Sequence, residues 1–194
     1  MTKSILLVGV GGQGTILASK LLTIGLMEAG YDVKMSEIHG MSQRGGSVSS
    51  QVRFGEKVLS PVIEEGGADI LVAFEKMEAL RWLDHLKKGG KAVVNDYEIE
   101  SMPIKIGKAD YAKGINEDLI NKCGAFIIDA AGEAKKLGNE KVMNMILLGA
   151  LVKSMDLTHI DWEKIIRENV KERFIDINIQ AIRLGMNAGF GVAA

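Results

Sequence analysis

The chain has 194 residues, with 24 basic and 25 acidic side chains and a formal charge of −1. Near-neutrality excludes a generic nucleic-acid backbone binder, which needs a basic face, and 5% aromatic residues exclude a base-stacking platform. A single cysteine, Cys123, excludes an internal disulfide and a cysteine-held iron–sulfur cluster, which usually takes about four thiolates.

His39, His85 and His159 show no ligand-like spacing, so no metal site is expected. The N-terminal apolar run is far shorter than the ~20 residues that span a bilayer. A cytoplasmic chain with no membrane contact is the expectation. No repeat or linker interrupts residues 1–194, which are read as one domain.

Ser4–Val10 is a continuous aliphatic run ending at glycines and predicts a strand buried on both faces. From about Gly14 to Ala29, Ile16, Leu17, Lys20, Leu21, Ile24 and Met27 recur at helical spacing, and Gly30 supplies a stop. Val33–Ile38 reads as the next strand, completing a βαβ unit. Along Ser47–Phe54, Val48, Val52 and Phe54 alternate with Ser47, Ser49, Gln51 and Arg53, the pattern of a half-exposed strand. Gly55-Glu56 then suggests a hairpin to Lys57–Val62.

Asp69–Phe74, Lys91–Asn95 and Ala125–Asp129 are further strands. Met77, Leu80, Leu83 and Leu86 mark a helix ended by Gly89-Gly90. Lys141–Lys153 is apolar almost all round, which predicts a buried helix. Within it Asn144 is the one amide, expected as a buried anchor for a nearby loop. Asp161 caps a helix with Trp162, Ile165, Ile166 and Val170, and Ile175, Ile179, Ile182 and Met186 mark the last. The fold class is α/β: a three-layer, Rossmann-like domain with a mostly parallel sheet, an antiparallel hairpin section and helices gathered at the C-terminus.

Two loops stand out. Gly9-Val10-Gly11-Gly12-Gln13-Gly14 holds G-x-G-x-x-G between a strand and a helix, where glycines permit a tight turn and free amides favour an anion. Glu37, 23 residues after Gly14, falls near the place of a ribose-binding acid. A dinucleotide site and a plain strand-to-helix turn both satisfy this pattern. The second loop carries Ser42, Gln43, Arg44, Gly45 and Gly46. Loops beyond the carboxyl ends of strands line the crevice of an α/β sheet, so the two glycine loops are expected to face each other. Arg44 offers a planar fork for phosphate or carboxylate, with a solvated loop as the bland alternative. Glu37 and His39 are placed to orient Arg44 or simply to sit at a strand edge.

GVGGQG, HGMSQRGGSV, RFGEKV, FEKMEALR, LKKGGKAVVN, NMILLGAL and FIDINIQAIRLG together resemble the gamma-type domain of 2-oxoacid:ferredoxin oxidoreductases over essentially the whole chain. The HGMSQRGGSV form most resembles the small subunit of the indolepyruvate branch. Gamma chains of pyruvate, 2-oxoglutarate or branched-chain 2-oxoacid enzymes are the nearest alternatives, and a free-standing dinucleotide oxidoreductase is the more distant one. The resemblance implies a non-catalytic partner of a larger alpha subunit, which would carry thiamine diphosphate, magnesium and the [4Fe–4S] clusters. Coenzyme A would be co-substrate and ferredoxin the electron acceptor. It further implies that Gly9, Gly11, Gly12, Gln13 and Gly14, with Ser42, Gln43, Arg44, Gly45 and Gly46, face the cofactor side of that assembly, and that Met41 contacts the larger subunit. No catalytic residue is expected in this chain.

Overall fold

The computed structural model describes residues 1–39 and 45–188, the His39 side chain excepted. The first half contains β1 (Lys3–Val10), α1 (Thr15–Glu28), β2 (Asp32–His39), β3 (Ser47–Gly55), β4 (Ala68–Ala73), α2 (Lys76–Arg81) and β5 (Leu86–Asn95). Then come α3 (Met102–Lys105), α4 (Ile115–Cys123), β6 (Phe126–Ile128), α5 (Ala130–Lys136), α6 (Met143–Ser154), α7 (Trp162–Asn169) and α8 (Ile175–Asn187).

The six strands form one sheet in the order β2-β3-β1-β4-β5-β6. β1, β4, β5 and β6 pair in parallel, and β3 alone runs against its neighbours β1 and β2. Side chains alternate cleanly across the sheet. Ile5, Leu7, Ile70, Val72 and Val93 enter one core with α1, α6, α7 and α8. Leu6, Val8, Leu71, Ala73 and Val94 enter a second core with α4. β1 is therefore covered on both faces, as its unbroken aliphatic run predicts.

The hairpin differs from expectation. β3 does pair with a neighbour in a hairpin, but that neighbour is β2, with Asp32 opposite Gly55 and His39 opposite Val48. Its other edge is taken by β1, so Lys57–Val62 has no free edge to join and forms no strand. The period-two pattern along β3 is real, yet its polar face is covered. Gln51 Oε1 accepts from the Ile63 amide at 2.6 Å, and Arg53 donates to the Ser60 and Val62 carbonyls. Polar side chains of a buried strand thus hold the crossing segment in place of ladder bonds.

Three other expectations shift. On α1, Ile16 and Met27 face outward, and Ala18, Leu21, Leu22, Gly25 and Leu26 face the core. Small residues lie inward there because α7 presses close: a Cβ on Gly25 would stand 2.6 Å from the Trp162 ring. α2 ends at Arg81, and Gly89-Gly90 sit inside β5 at an irregularity between the Ala68–Leu86 and Ile70–Lys91 pairs. α4 escaped the apolar pattern because only Ile115 and Leu119 are buried on it.

α6 and α8 cross at Gly149 and Gly185. A Cβ at Gly149 would strike the Ile182 carbonyl, and one at Gly185 the Ile146 carbonyl. Backbone cannot step aside as a rotamer can. Gly149→Ala or Gly185→Ala is expected to destabilise the chain by about 1–3 kcal/mol or more. A denaturant midpoint measures this, and an unchanged midpoint would show that the helices have room to part.

Candidate functional site

Because every strand but β3 runs the same way, the carboxyl ends of β1, β2, β4, β5 and β6 open at one edge. The reversed β3 begins at that edge. Its ladder with β1 continues past Val10–Ser47 by one rung, where the Gly11 amide donates to Gly46 O at 2.8 Å and the Gly45 amide to Gly11 O at 3.4 Å. The first glycine loop is thereby joined by a strand ladder to Gly45 and Gly46 of the second. Ser42, Gln43, Arg44 and Met41 lie outside the described residues, so only Gly45 and Gly46 of the second loop can be placed.

Within the first loop, Gly12 and Gly14 have φ of +104° and +82°, the left-handed region that favours glycine. Gly14 is the N-cap of α1, and no side chain caps that helix. Its first amides are left for another partner, as at helix starts that hold anions. Gln13, expected as a ligand, is used otherwise. Its Oε1 accepts from the Val10 amide at 2.7 Å and its Nε2 donates to Phe74 O at 2.8 Å, with the residue buried. The side chain therefore fastens the loop to the end of β4 and is not free to meet a ligand.

Beside the loop lies a cavity of about 720 Å³. One wall is Gly12, Gly14 and Leu17; the other is Gly132, Lys135 and Lys141. Asn144 joins them from α6: its Nδ2 donates to Gly14 O at 3.2 Å, and its Oδ1 has no partner among the described residues. A carbonyl can only accept, so the orientation of this amide is fixed. The expected buried anchor is therefore present. Tyr97, Asp129, Lys135 and Lys141 were not foreseen. Their signal was available, because Tyr97 and Asp129 stand at the ends of predicted strands.

On the far side of the β1–β3 ladder, buried acids hold the connections. Glu75, 1% exposed, caps α2 through the Glu78 amide at 2.9 Å and accepts from the Ile99 amide and the Tyr111 hydroxyl. Burial and the Glu75 carboxylate push the Tyr111 hydroxyl well above its ordinary pKa. Glu78 accepts from Ser47 Oγ at 2.5 Å and ties the start of β3 to α2.

Glu37 does not reach the glycine loop in this way. It lies on β2, separated from β1 by β3, about 10 Å away at two strand spacings. Its carboxylate accepts from Ser19 Oγ of α1 at 2.9 Å. Cys123 Sγ donates to Leu119 O, and burial raises the thiol pKa. One such thiol does not fit an iron–sulfur cluster. Among the described residues no group of three or more His, Cys, Asp or Glu is placed to hold a metal, and no helix is long and apolar enough to cross a membrane.

Residues 4–188 match the family model described as pyruvate ferredoxin/flavodoxin oxidoreductase. The chain belongs to that family. It is 40% identical over 193 residues to the indolepyruvate oxidoreductase subunit IorB of Thermococcus kodakarensis, covering 95% of each chain. It is 38% identical to the subunit of the same name from Pyrococcus horikoshii, with 95% of each covered. Among solved structures it resembles a keto/oxoacid ferredoxin oxidoreductase gamma subunit from Geobacter sulfurreducens PCA, with TM-score 0.68, 25% identity and 94% and 95% of the two chains covered. Family membership makes the chain a component of an oxidoreductase.

A Cβ at Gly14 would stand 2.5 Å from Asn144 Nδ2. Gly14→Ala is expected to cost about 1–3 kcal/mol, from the left-handed backbone and this clash together. Adding Asn144→Ala should recover part of it, so the double variant melts above the sum of the single losses. Strict additivity would show that the two residues do not meet.

Proposed function

We propose that this chain is the small subunit of an indolepyruvate-type 2-oxoacid:ferredoxin oxidoreductase. It docks by the carboxyl edge of its sheet onto a larger subunit. The observation that carries the reading is the likeness to the IorB subunits across 95% of both chains. The geometry supports it in two ways. Large apolar side chains stand exposed along that edge: Ile16 after the glycine loop, Ile38 near the end of β2, and Tyr97 and Met102 beyond β5. Exposed apolar surface of this kind suits a partner chain. The cavity beside the glycine loop is lined by Lys135 and Lys141 together with Asp129, which caps α5, and Glu140, and the uncapped amides at the start of α1 add donors to the lysines, which suits a phosphate-bearing ligand.

In this reading thiamine diphosphate, magnesium and the [4Fe–4S] clusters belong to the larger subunit. That subunit supplies the decarboxylation and passes electrons to ferredoxin. The chain described here binds and orients. Gly11, Gly12, Gly14, Gly45 and Gly46 shape the backbone facing the partner, while Gly9, buried in β1, leaves the room that Gln13 and Phe74 fill. Ser42, Gln43 and Arg44 are the polar side chains offered to that partner or its ligand. Lys135 and Lys141 draw in the phosphates of coenzyme A. Hard chemistry stays with the cofactors, and this chain contributes position and charge.

Coexpression with the larger subunit tests the assembly. Ile16→Asp and Met102→Asp are expected to weaken association at least about tenfold. Leu59→Asp, at the opposite edge of the sheet, should leave it unchanged. Association insensitive to Ile16 and Met102 would move the interface elsewhere. In the assembled enzyme, Lys141→Ala should raise the KM for coenzyme A about tenfold, the worth of one charge-assisted contact, and spare the KM for the 2-oxoacid. An unchanged KM for coenzyme A would remove the cavity from its site.

A further inference from the structure

Four buried hydrogen bonds run in one line under the cavity. The Val10 amide donates to Gln13 Oε1 at 2.7 Å, and Gln13 Nε2 donates to Phe74 O at 2.8 Å. Asn95 Nδ2 donates to the same Phe74 carbonyl at 3.1 Å, and Asn95 Oδ1 accepts from the Ala130 amide at 3.0 Å. Asn95 has no exposed surface.

The Phe74 carbonyl has two lone pairs and both are taken. Because it can only accept, each amide must turn its nitrogen toward it. The Val10 and Ala130 amides can only donate, so each must meet an oxygen. Every member has one allowed orientation, and the line cannot be satisfied in reverse.

Its two ends are the two walls of the cavity. Gln13 sits in the glycine loop, and Ala130 lies between Asp129 and Ala131 on the facing wall. Asn95 Nδ2 also lies 3.7 Å from Sδ of Met143, which lines the cavity at the start of α6. Asn95, at the carboxyl end of β5, thus touches α5 and the start of α6 directly and meets the glycine loop through the shared Phe74 carbonyl, without itself lining the cavity.

We propose that Asn95 is a positioning residue for coenzyme A, acting through this amide relay to fix the separation of the glycine loop from α5. The proposal rests on the reading of the cavity given above. Asn95→Asp keeps size and acceptor, but sets a carboxylate against the Phe74 carbonyl. Gln13→Glu breaks the same link from the other end.

Both variants are tested in the complex with the larger subunit. Each should raise the KM for coenzyme A at least about tenfold, the scale of a sub-ångström misplacement of a bound group. The KM for the 2-oxoacid should stay within about twofold, because displacement at this cavity costs only the ligand that it holds. Because the two act on one relay, the double variant should be no worse than either alone.

If Lys141→Ala raises the KM for coenzyme A while Asn95→Asp and Gln13→Glu only lower the melting temperature, the relay is structural and the proposal falls. If Lys141→Ala has no effect either, the reading of the cavity fails with it. Multiplying effects of Asn95→Asp and Gln13→Glu would deny a shared relay. Failure of both variants to assemble would assign the relay to the fold alone and overturn the proposal as well.

Discussion

One reversed strand organises the functional edge. β3 lies between β1 and β2 and runs against both, so it starts where they end. Its first residues therefore come to the glycine loop by ordinary ladder geometry, and the Gly11–Gly46 rung is one more step of that ladder. A parallel β3 would end there and send its entering loop to the other edge of the sheet. The same insertion moves β2 one strand outward. That takes Glu37 away from the glycine loop and leaves it to bind Ser19, so the spacing that suggested a ribose-binding acid loses its geometric basis.

A sheet edge crossed by loops must satisfy many backbone groups that water reaches poorly. Here the strand ends supply the partners. Gln13 follows β1, Glu75 follows β4, Asn95 ends β5 and Asp129 follows β6. Each binds the backbone of a neighbouring segment: Phe74, Ile99, Ala130 and Gly132 respectively. Glu75 is the most demanding, because a buried carboxylate needs several donors, and it has two amides and a hydroxyl. These groups make the edge rigid before any ligand arrives, which lowers the ordering cost of binding.

Much of this was legible in the residues. Unbroken apolar runs revealed β1, β4 and the parallel core, and the helix over residues 143–154 declared itself by being apolar all round. The capping role of Asp161 and the anchoring role of Asn144 also followed from single polar residues in marked places. What failed was pairing. Alternation along Ser47–Phe54 identifies a strand but cannot say which neighbours take its edges, and Gly55-Glu56 pointed to the wrong one. Alternation likewise cannot say whether a polar face meets water or meets backbone, and for Gln51 and Arg53 it meets backbone. Gln13 shows the same limit at the site. A glutamine in a glycine loop has the chemistry of a ligand, and only the fold reveals that its amide is already engaged.

The division between rigid and available groups then bears on what the chain does. Buried amides and carboxylates, Gln13, Asn95, Glu75 and the Nδ2 of Asn144, are occupied by backbone and set distances. The exposed groups at the same edge are of another kind: Lys135 and Lys141 beside Asp129 and Glu140 at the cavity, and apolar side chains such as Ile16 and Met102 around it. A lysine reaches for an anion and an exposed isoleucine for a covering surface. Neither type transfers an electron or breaks a carbon–carbon bond. On the proposed function, choice among 2-oxoacids belongs to the chain that holds the oxoacid. In the proposed assembly the small subunit contributes what a rigid edge can contribute, the placing of a phosphate-bearing co-substrate and the surface that keeps the larger subunit beside it.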